Sequence, residues 1–227
     1  MAECSDYGPW TPRAALFDFD MTTVDSEESV IVSMNMFARE MGLRDIGHKD
    51  LMEATGLPLE EGWVKYWGRC EAWWPDYYRG RYKEQELSGF KPFADTVPVL
   101  ERMREAGIRT AIVTNRWLAP IAVEAAGLGG RFDAVVGAEE AERPKPFPDP
   151  VLKALELLGA GAGEAVMVGD SYLDMGAAVA AGVKGIGVAT GGSTPAELAA
   201  AGAWKTCGRL GEVLEIVGLE PLNPSAL

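Results

Sequence analysis

The residues able to do chemistry stand immediately after short apolar runs. Ala14-Ala15-Leu16-Phe17 leads into Asp18-Phe19-Asp20-Met21-Thr22, and Ala165-Val166-Met167-Val168 leads into Gly169-Asp170-Ser171-Tyr172-Leu173-Asp174. Asp18 and Asp20, two residues apart, can divide phosphoryl transfer between them. One carboxylate attacks phosphorus; the other gives a proton to the leaving oxygen and later takes one from water. Asp170 and Asp174 are one helical turn apart, so both can face one crevice. Their hard oxygens suit magnesium, which binds through one or two carboxylates together with substrate phosphate. Taken singly, each pair has a plainer reading: loop aspartates after strands are common, and Asp170 or Ser171 would serve as the cap of the next helix.

Two more features belong to the same set. Thr114 and Asn115 follow the run Thr110 to Val113 and offer a hydroxyl and a backbone amide to phosphate oxygens. Lys145, in Arg143-Pro144-Lys145-Pro146, is a cation on a loop stiffened by prolines.

The elements that must carry these residues are legible from periodicity. Ala14–Phe17, Thr110–Val113, Ala134–Val136, Ala165–Val168 and Gly185–Val188 read as buried parallel strands, short and apolar throughout. Helical spacing over Asp95–Ala106, Pro150–Leu158 and Asp174–Ala181 alternates with them. This βαβα order predicts an α/β fold, a Rossmann-like three-layer parallel sheet, with ligand chemistry at the carboxyl ends of the strands. Residues 25–87 break the alternation and read as helix after helix: Ser29–Met41, Lys49–Ala54, and a long aromatic-rich stretch Leu59–Glu86 broken at Pro75. The expected division is therefore a core of residues 1–24 and 88–227 with an inserted helical domain, 25–87. The tail from Pro221 onward is poor in structure.

Bulk composition narrows the function classes. With 34 acidic and 21 basic residues the formal charge is −13, which repels nucleic acid over most of the surface. No run approaches the ~20 apolar residues of a membrane span, and residues 1–12 lack a leader pattern. Cys4, Cys70 and Cys207 are far apart with no CxxC pair, which fits a reducing cytoplasm. The single histidine, His48, excludes a multi-histidine metal site, and itself reads as a polar loop residue.

Taken in order, the motifs DFDMTTVDSE, VTN, RPKPFPDP and GDSYLDMGAAVAAGV resemble the four motifs of the haloacid dehalogenase superfamily, in the subgroup that includes phosphoglycolate phosphatase and β-phosphoglucomutase. The resemblance covers nearly the whole chain. It implies that Asp18 is the nucleophile, Asp20 the general acid/base, Thr114 a phosphate ligand and Lys145 the residue steadying nucleophile and phosphate. It also implies Mg²⁺ held by Asp18, Asp170 and the backbone carbonyl of Asp20, with Asp174 as a ligand directly or through water, and Ser171 and Asn115 as further contacts. The insert becomes a cap that closes over the site, with Thr55-Gly56-Leu57-Pro58 either reaching toward substrate at Gly56 or forming an ordinary turn. The dehalogenases of the superfamily lack a carboxylate at the place of Asp20, so dehalogenation is disfavoured. Met21 departs from the glycine of many relatives.

The expected partner is a small phosphorylated metabolite, and the expected assembly a monomer or homodimer. A phosphomutase acting on a sugar phosphate and a non-catalytic binding protein are the alternatives. Among the insert's aromatics, Trp73, Trp74, Tyr77 and Tyr78 read as packing, and Arg79, Arg81 and Lys83 as a solvated face.

Overall fold

The computed structural model describes residues 10–223. The leader reading, Cys4 and the last four residues of the tail lie outside them. Six strands form one parallel sheet: β1 (Ala14–Phe17), β4 (Arg109–Val113), β5 (Ala134–Val136), β6 (Ala165–Gly169), β7 (Lys184–Val188) and β8 (Lys205–Cys207), in the order β5-β4-β1-β6-β7-β8. β1 lies between β4 and β6, with Ala15 in register with Thr110 on one side and Val166 on the other. A strand flanked on both edges and covered on both faces has no solvent side, which is why Ala14–Phe17 is apolar without alternation.

Successive side chains of β1 nevertheless go to opposite faces. Ala15 and Phe17 join Val99, Leu100 and Met103 of α5 (Thr96–Glu105), whereas Ala14 and Leu16 join Val151 and Leu155 of α7 (Asp149–Leu158) and Ala177 and Ala178 of α8 (Tyr172–Ala181). The result is the expected three-layer, Rossmann-like core. No helix among the described residues is long and apolar enough to cross a membrane.

Between β2 (Val24–Asp25) and β3 (Lys91–Pro92), which pair antiparallel as a two-stranded ribbon, the chain makes four helices: α1 (Glu27–Glu40), α2 (His48–Ala54), α3 (Leu59–Trp67) and α4 (Trp74–Leu87). The long stretch breaks earlier than Pro75. Gly68 ends α3 in the left-handed conformation, and Pro75 sits in the first turn of α4, where its missing N–H costs nothing. His48 opens α2 rather than lying in a loop, and its Nδ1 is 2.6 Å from Glu27.

The aromatics pack as a cluster around Phe37, stacked on Trp63 at 4.9 Å and edge-on to Trp74 and Tyr78. Trp74 and Tyr78 are buried, while Trp73 is half exposed. That apolar cluster continues without interruption through Phe90 and Phe19 into one face of the sheet core.

Candidate active site

Each chemical residue leaves its strand at the same end of the sheet. Asp18 follows β1, Thr114 follows β4 and Asp170 follows β6, three neighbouring strands. Lys145 arrives from the loop between β5 and α7, and Asp174 from the first turn of α8.

Lys145 is fully buried, and its ammonium lies 2.8 Å from Asp18 Oδ1 and 2.6 Å from Asp174 Oδ1 while donating to the Val113 carbonyl at 3.0 Å. Its backbone is held as well: the Lys145 N–H donates to Asn115 Oδ1 at 2.7 Å, and Asn115 Nδ2 donates to the Lys145 carbonyl at 3.0 Å. The same Nδ2 donates to the Gly56 carbonyl at 2.9 Å, which ties the loop between α2 and α3 to the sheet tip. Gly56 has φ +81°, a left-handed conformation suited to glycine.

Asp18, Asp170 and Asp174 place one carboxylate oxygen each within 4.8 Å of one another, all buried. Against these three acids stands one lysine. Burial, reinforced by Asp174, pushes the Asp18 carboxyl up to about 7 despite the Lys145 ammonium. Asp170 is likewise driven well above the carboxylate range by burial and by its two acidic neighbours. For Lys145, burial disfavours the charge, but Asp174 and Asp18 outweigh it and keep the ammonium protonated.

The oxygens of these acids differ in what they have left to bind. Asp174 is satisfied on both sides, by Lys145 on Oδ1 and by the Ser171 N–H (3.0 Å) and hydroxyl on Oδ2; Ser171 in turn caps α8. Asp18 Oδ1 accepts from the Phe19 N–H at 2.7 Å, and Asp170 Oδ1 from the Thr22 hydroxyl at 2.8 Å. Asp18 Oδ2 and Asp170 Oδ2 are buried with no hydrogen-bond partner. Two orphaned, electron-rich carboxylate oxygens are costly unless a cation satisfies them. Room is kept beside them by Gly191, where a Cβ would fall 1.8 Å from Asp170 Oδ2. The donor set is all oxygen and anionic, which fits a hard divalent cation.

Asp20 is turned elsewhere. Its carboxylate takes a bidentate pair from Arg116, Nη2 to Oδ1 at 2.6 Å and Nε to Oδ2 at 2.9 Å. Burial works to raise the Asp20 carboxyl, but the guanidinium wins and holds it below its usual range. Arg116 also bonds Glu86 at the end of α4, and Glu86 accepts from the Tyr78 hydroxyl at 2.7 Å. The sequence alone assigns neither residue to the site, and Glu86, interleaved there with Arg79, Arg81 and Lys83 as part of a solvated face, is buried instead. The available signal was a cation directly after Val113-Thr114-Asn115; nothing local marks Glu86, thirty positions away, as its partner.

Met21 occupies the left-handed region at φ +58°, where a side chain costs about 1–2 kcal/mol. This gives the physical reason a glycine would suit that turn. The Thr190 hydroxyl donates to the Met21 carbonyl, and the Met21 N–H to the Val24 carbonyl at 2.8 Å, so the turn is held from both sides. Arg81 is solvent-exposed as expected, but Arg79 and Lys83 line the cavity above Asp18 instead.

Comparison with known proteins agrees with this geometry. Residues 15–188 match the model of the haloacid dehalogenase-like hydrolases. The chain is 32% identical over 179 residues to pyrophosphatase PpaX of Bacillus velezensis, covering 78% of this chain and 82% of that protein. It is 31% identical over 177 residues to phosphoglycolate phosphatase of Aquifex aeolicus, covering 76% and 82%. Among solved structures, a predicted phosphatase from Clostridium acetobutylicum superposes with a TM-score of 0.79 at 25% identity, over 89% of this chain and 96% of that one. A buried acid cluster at the tips of β1 and β6, with Thr114 and Lys145 from two further loops, the parallel sheet beneath it and the match over most of the sequence lead to one assignment: the chain belongs to the haloacid dehalogenase-like hydrolase family.

Proposed function

We propose that the protein is a Mg²⁺-dependent phosphatase that hydrolyses a small phosphomonoester through an aspartyl-phosphate on Asp18. The observation that carries this reading is Lys145 bridging Asp18 and Asp174 next to the two orphaned oxygens of Asp18 and Asp170. An Asp18 oxygen attacks phosphorus; the bond to the leaving oxygen breaks, and that oxygen takes a proton from Asp20. Asp20, now a carboxylate, removes a proton from water, whose oxygen attacks phosphorus and releases Asp18 and phosphate. Lys145 holds the nucleophile in place and offsets phosphoryl charge, and Thr114 and the neighbouring amides receive the phosphate oxygens. Mg²⁺, when bound by Asp18, Asp170 and the Asp20 carbonyl, supplies further positive charge to the phosphoryl oxygens. Asp174, both oxygens occupied, serves as the anchor of Lys145.

Asp20 paired with Arg116 is an anion and cannot donate a proton. Transfer therefore requires the substrate's negative charge to draw Arg116 away, which lets the Asp20 carboxyl rise. Residues 25–87 act as the cap, with Asn115 and Gly56 joining it to the core and Ser171 fixing the start of α8. The named activities of the relatives, a phosphatase and a pyrophosphatase, favour water over a sugar hydroxyl as acceptor. Phosphate release from a panel of phosphomonoesters with and without Mg²⁺ tests the proposal. Magnesium-stimulated release is expected, and silence across the panel would return the chain to a binding role.

The acid cluster also sets a pH dependence. A neutral Asp18 stabilises the fold fully below about 4, and that contribution is lost as pH rises through about 7. In chelator-treated protein, moving from pH 6 to pH 8 should cost about 1 kcal/mol, or roughly 3 °C in unfolding midpoint. Mg²⁺ should recover more stability at pH 8 than at pH 6, because it binds the ionised acids. A midpoint in chelator that rises between those pH values would contradict the charge assignment.

A further inference from the structure

The cavity above Asp18 has a charged floor, an apolar wall on one side and a charged one on another. Asp18, Asp20, Thr114 and Arg116 form its base. The apolar wall is supplied by α1, α2 and α3 of the insert, with Val30, Met34, Leu51, Ala54, Gly62 and Tyr66, while α4 contributes the charged Arg79, Lys83 and Glu86 on another side. Its volume is about 160 Å³, shared between the phosphoryl group on the floor and the alcohol portion against the walls; a roughly 150 Å³ apolar cavity accommodates a benzene ring, so a ring is the upper size for that portion.

Gly62 sharpens the argument. It lies inside α3, where glycine is a weaker helix former than alanine. Packing does not demand it: an added Cβ would meet Tyr66 Cε2 at 3.9 Å and Ala54 Cβ at 4.0 Å, both ordinary contacts. What the missing side chain provides is free space in the cavity wall. A glycolate or a second phosphate as leaving group presents almost no apolar surface to such walls, whereas a ring-sized hydrocarbon would cover them and exclude water.

Resting on the phosphatase reading, we infer that the preferred substrate is a phosphomonoester whose alcohol portion is an apolar body about the size of an aromatic ring, selected by the wall of α1, α2 and α3 at Gly62. The test compares benzyl phosphate with ethyl phosphate, whose leaving alcohols differ little in acidity, and with phosphoglycolate and pyrophosphate. With Mg²⁺ present, kcat/KM for benzyl phosphate should exceed that for ethyl phosphate by roughly tenfold or more. Gly62→Leu should collapse that ratio toward one, and Gly62→Ala, which keeps the helix intact or firmer, should lower it part of the way. Equal rates for benzyl and ethyl phosphate, or a preference for phosphoglycolate, would overturn the inference and point to Lys83 in the lining as the reader of an anionic leaving group. Benzylphosphonate, which cannot be hydrolysed, separates this failure from failure of the phosphatase reading. If no ester is turned over yet benzylphosphonate binds more tightly than methylphosphonate, the apolar pocket stands and the catalytic assignment falls; if it binds no better, the pocket assignment falls as well.

Discussion

Asp18→Asn is expected to lower phosphate release by about 10⁴-fold or more while leaving the fold intact. The carboxylate oxygen that accepts from the Phe19 N–H and from Lys145 becomes an amide oxygen able to accept both. The amide has almost no nucleophilicity, so the covalent step is lost. Stability should hold or increase in chelator, because one of three acids crowded around a single lysine has been made neutral. Phosphate release and unfolding midpoints on the same preparation check both halves. An active variant would refute the nucleophile, and a collapsed one would show that the charge of Asp18 is structural.

Lys145→Met should have the opposite balance. Methionine has similar length and suits a buried position, yet it leaves Asp18, Asp174 and the Val113 carbonyl without their common donor. Removing one partner from a buried ionic group typically costs about 3–5 kcal/mol, and activity should fall with it. The penalty should be greatest near pH 8 and smaller at pH 5, where Asp18, with its carboxyl pushed up to about 7, can take a proton instead of remaining an unpaired anion. Urea unfolding at the two pH values in chelator measures this. A Lys145→Met protein as stable as the parent at pH 8 would mean that the buried charges are compensated by something other than the lysine.

How far these features were legible in the sequence depends on whether they are local. β1, β4, β6 and β7 are interior strands buried on both faces and so announce themselves as apolar runs, and β5, though an edge strand and only partly buried, is still apolar throughout. β8, Lys205–Cys207, is an edge strand with exposed and half-exposed residues, and carries no such run. The helix α6 (Ala119–Ala125) is seven residues long with a proline in its first turn, too short for a periodicity to register. Asp18, Asp20, Asp170 and Asp174 could be picked out because each stands at a strand tip or one turn beyond it. Arg116 could not, since its meaning lies in Asp20 and Glu86, one from the sheet tip and one from the far end of α4. The role of Asn115 in fixing both the Lys145 backbone and the Gly56 loop is equally a product of tertiary structure. Side-chain chemistry along a strand is readable one residue at a time; a bridge between two layers is not.

The measurement that bears most directly on the account is the identity of the phosphorylated residue. Protein quenched in acid during turnover with a substrate and Mg²⁺, then treated with borohydride, converts an acyl phosphate to homoserine at the position that carried it. Homoserine is expected at residue 18 alone, and none without substrate. Homoserine at Asp20, Asp170 or Asp174, or rapid phosphate release with every aspartate unmodified, would contradict it.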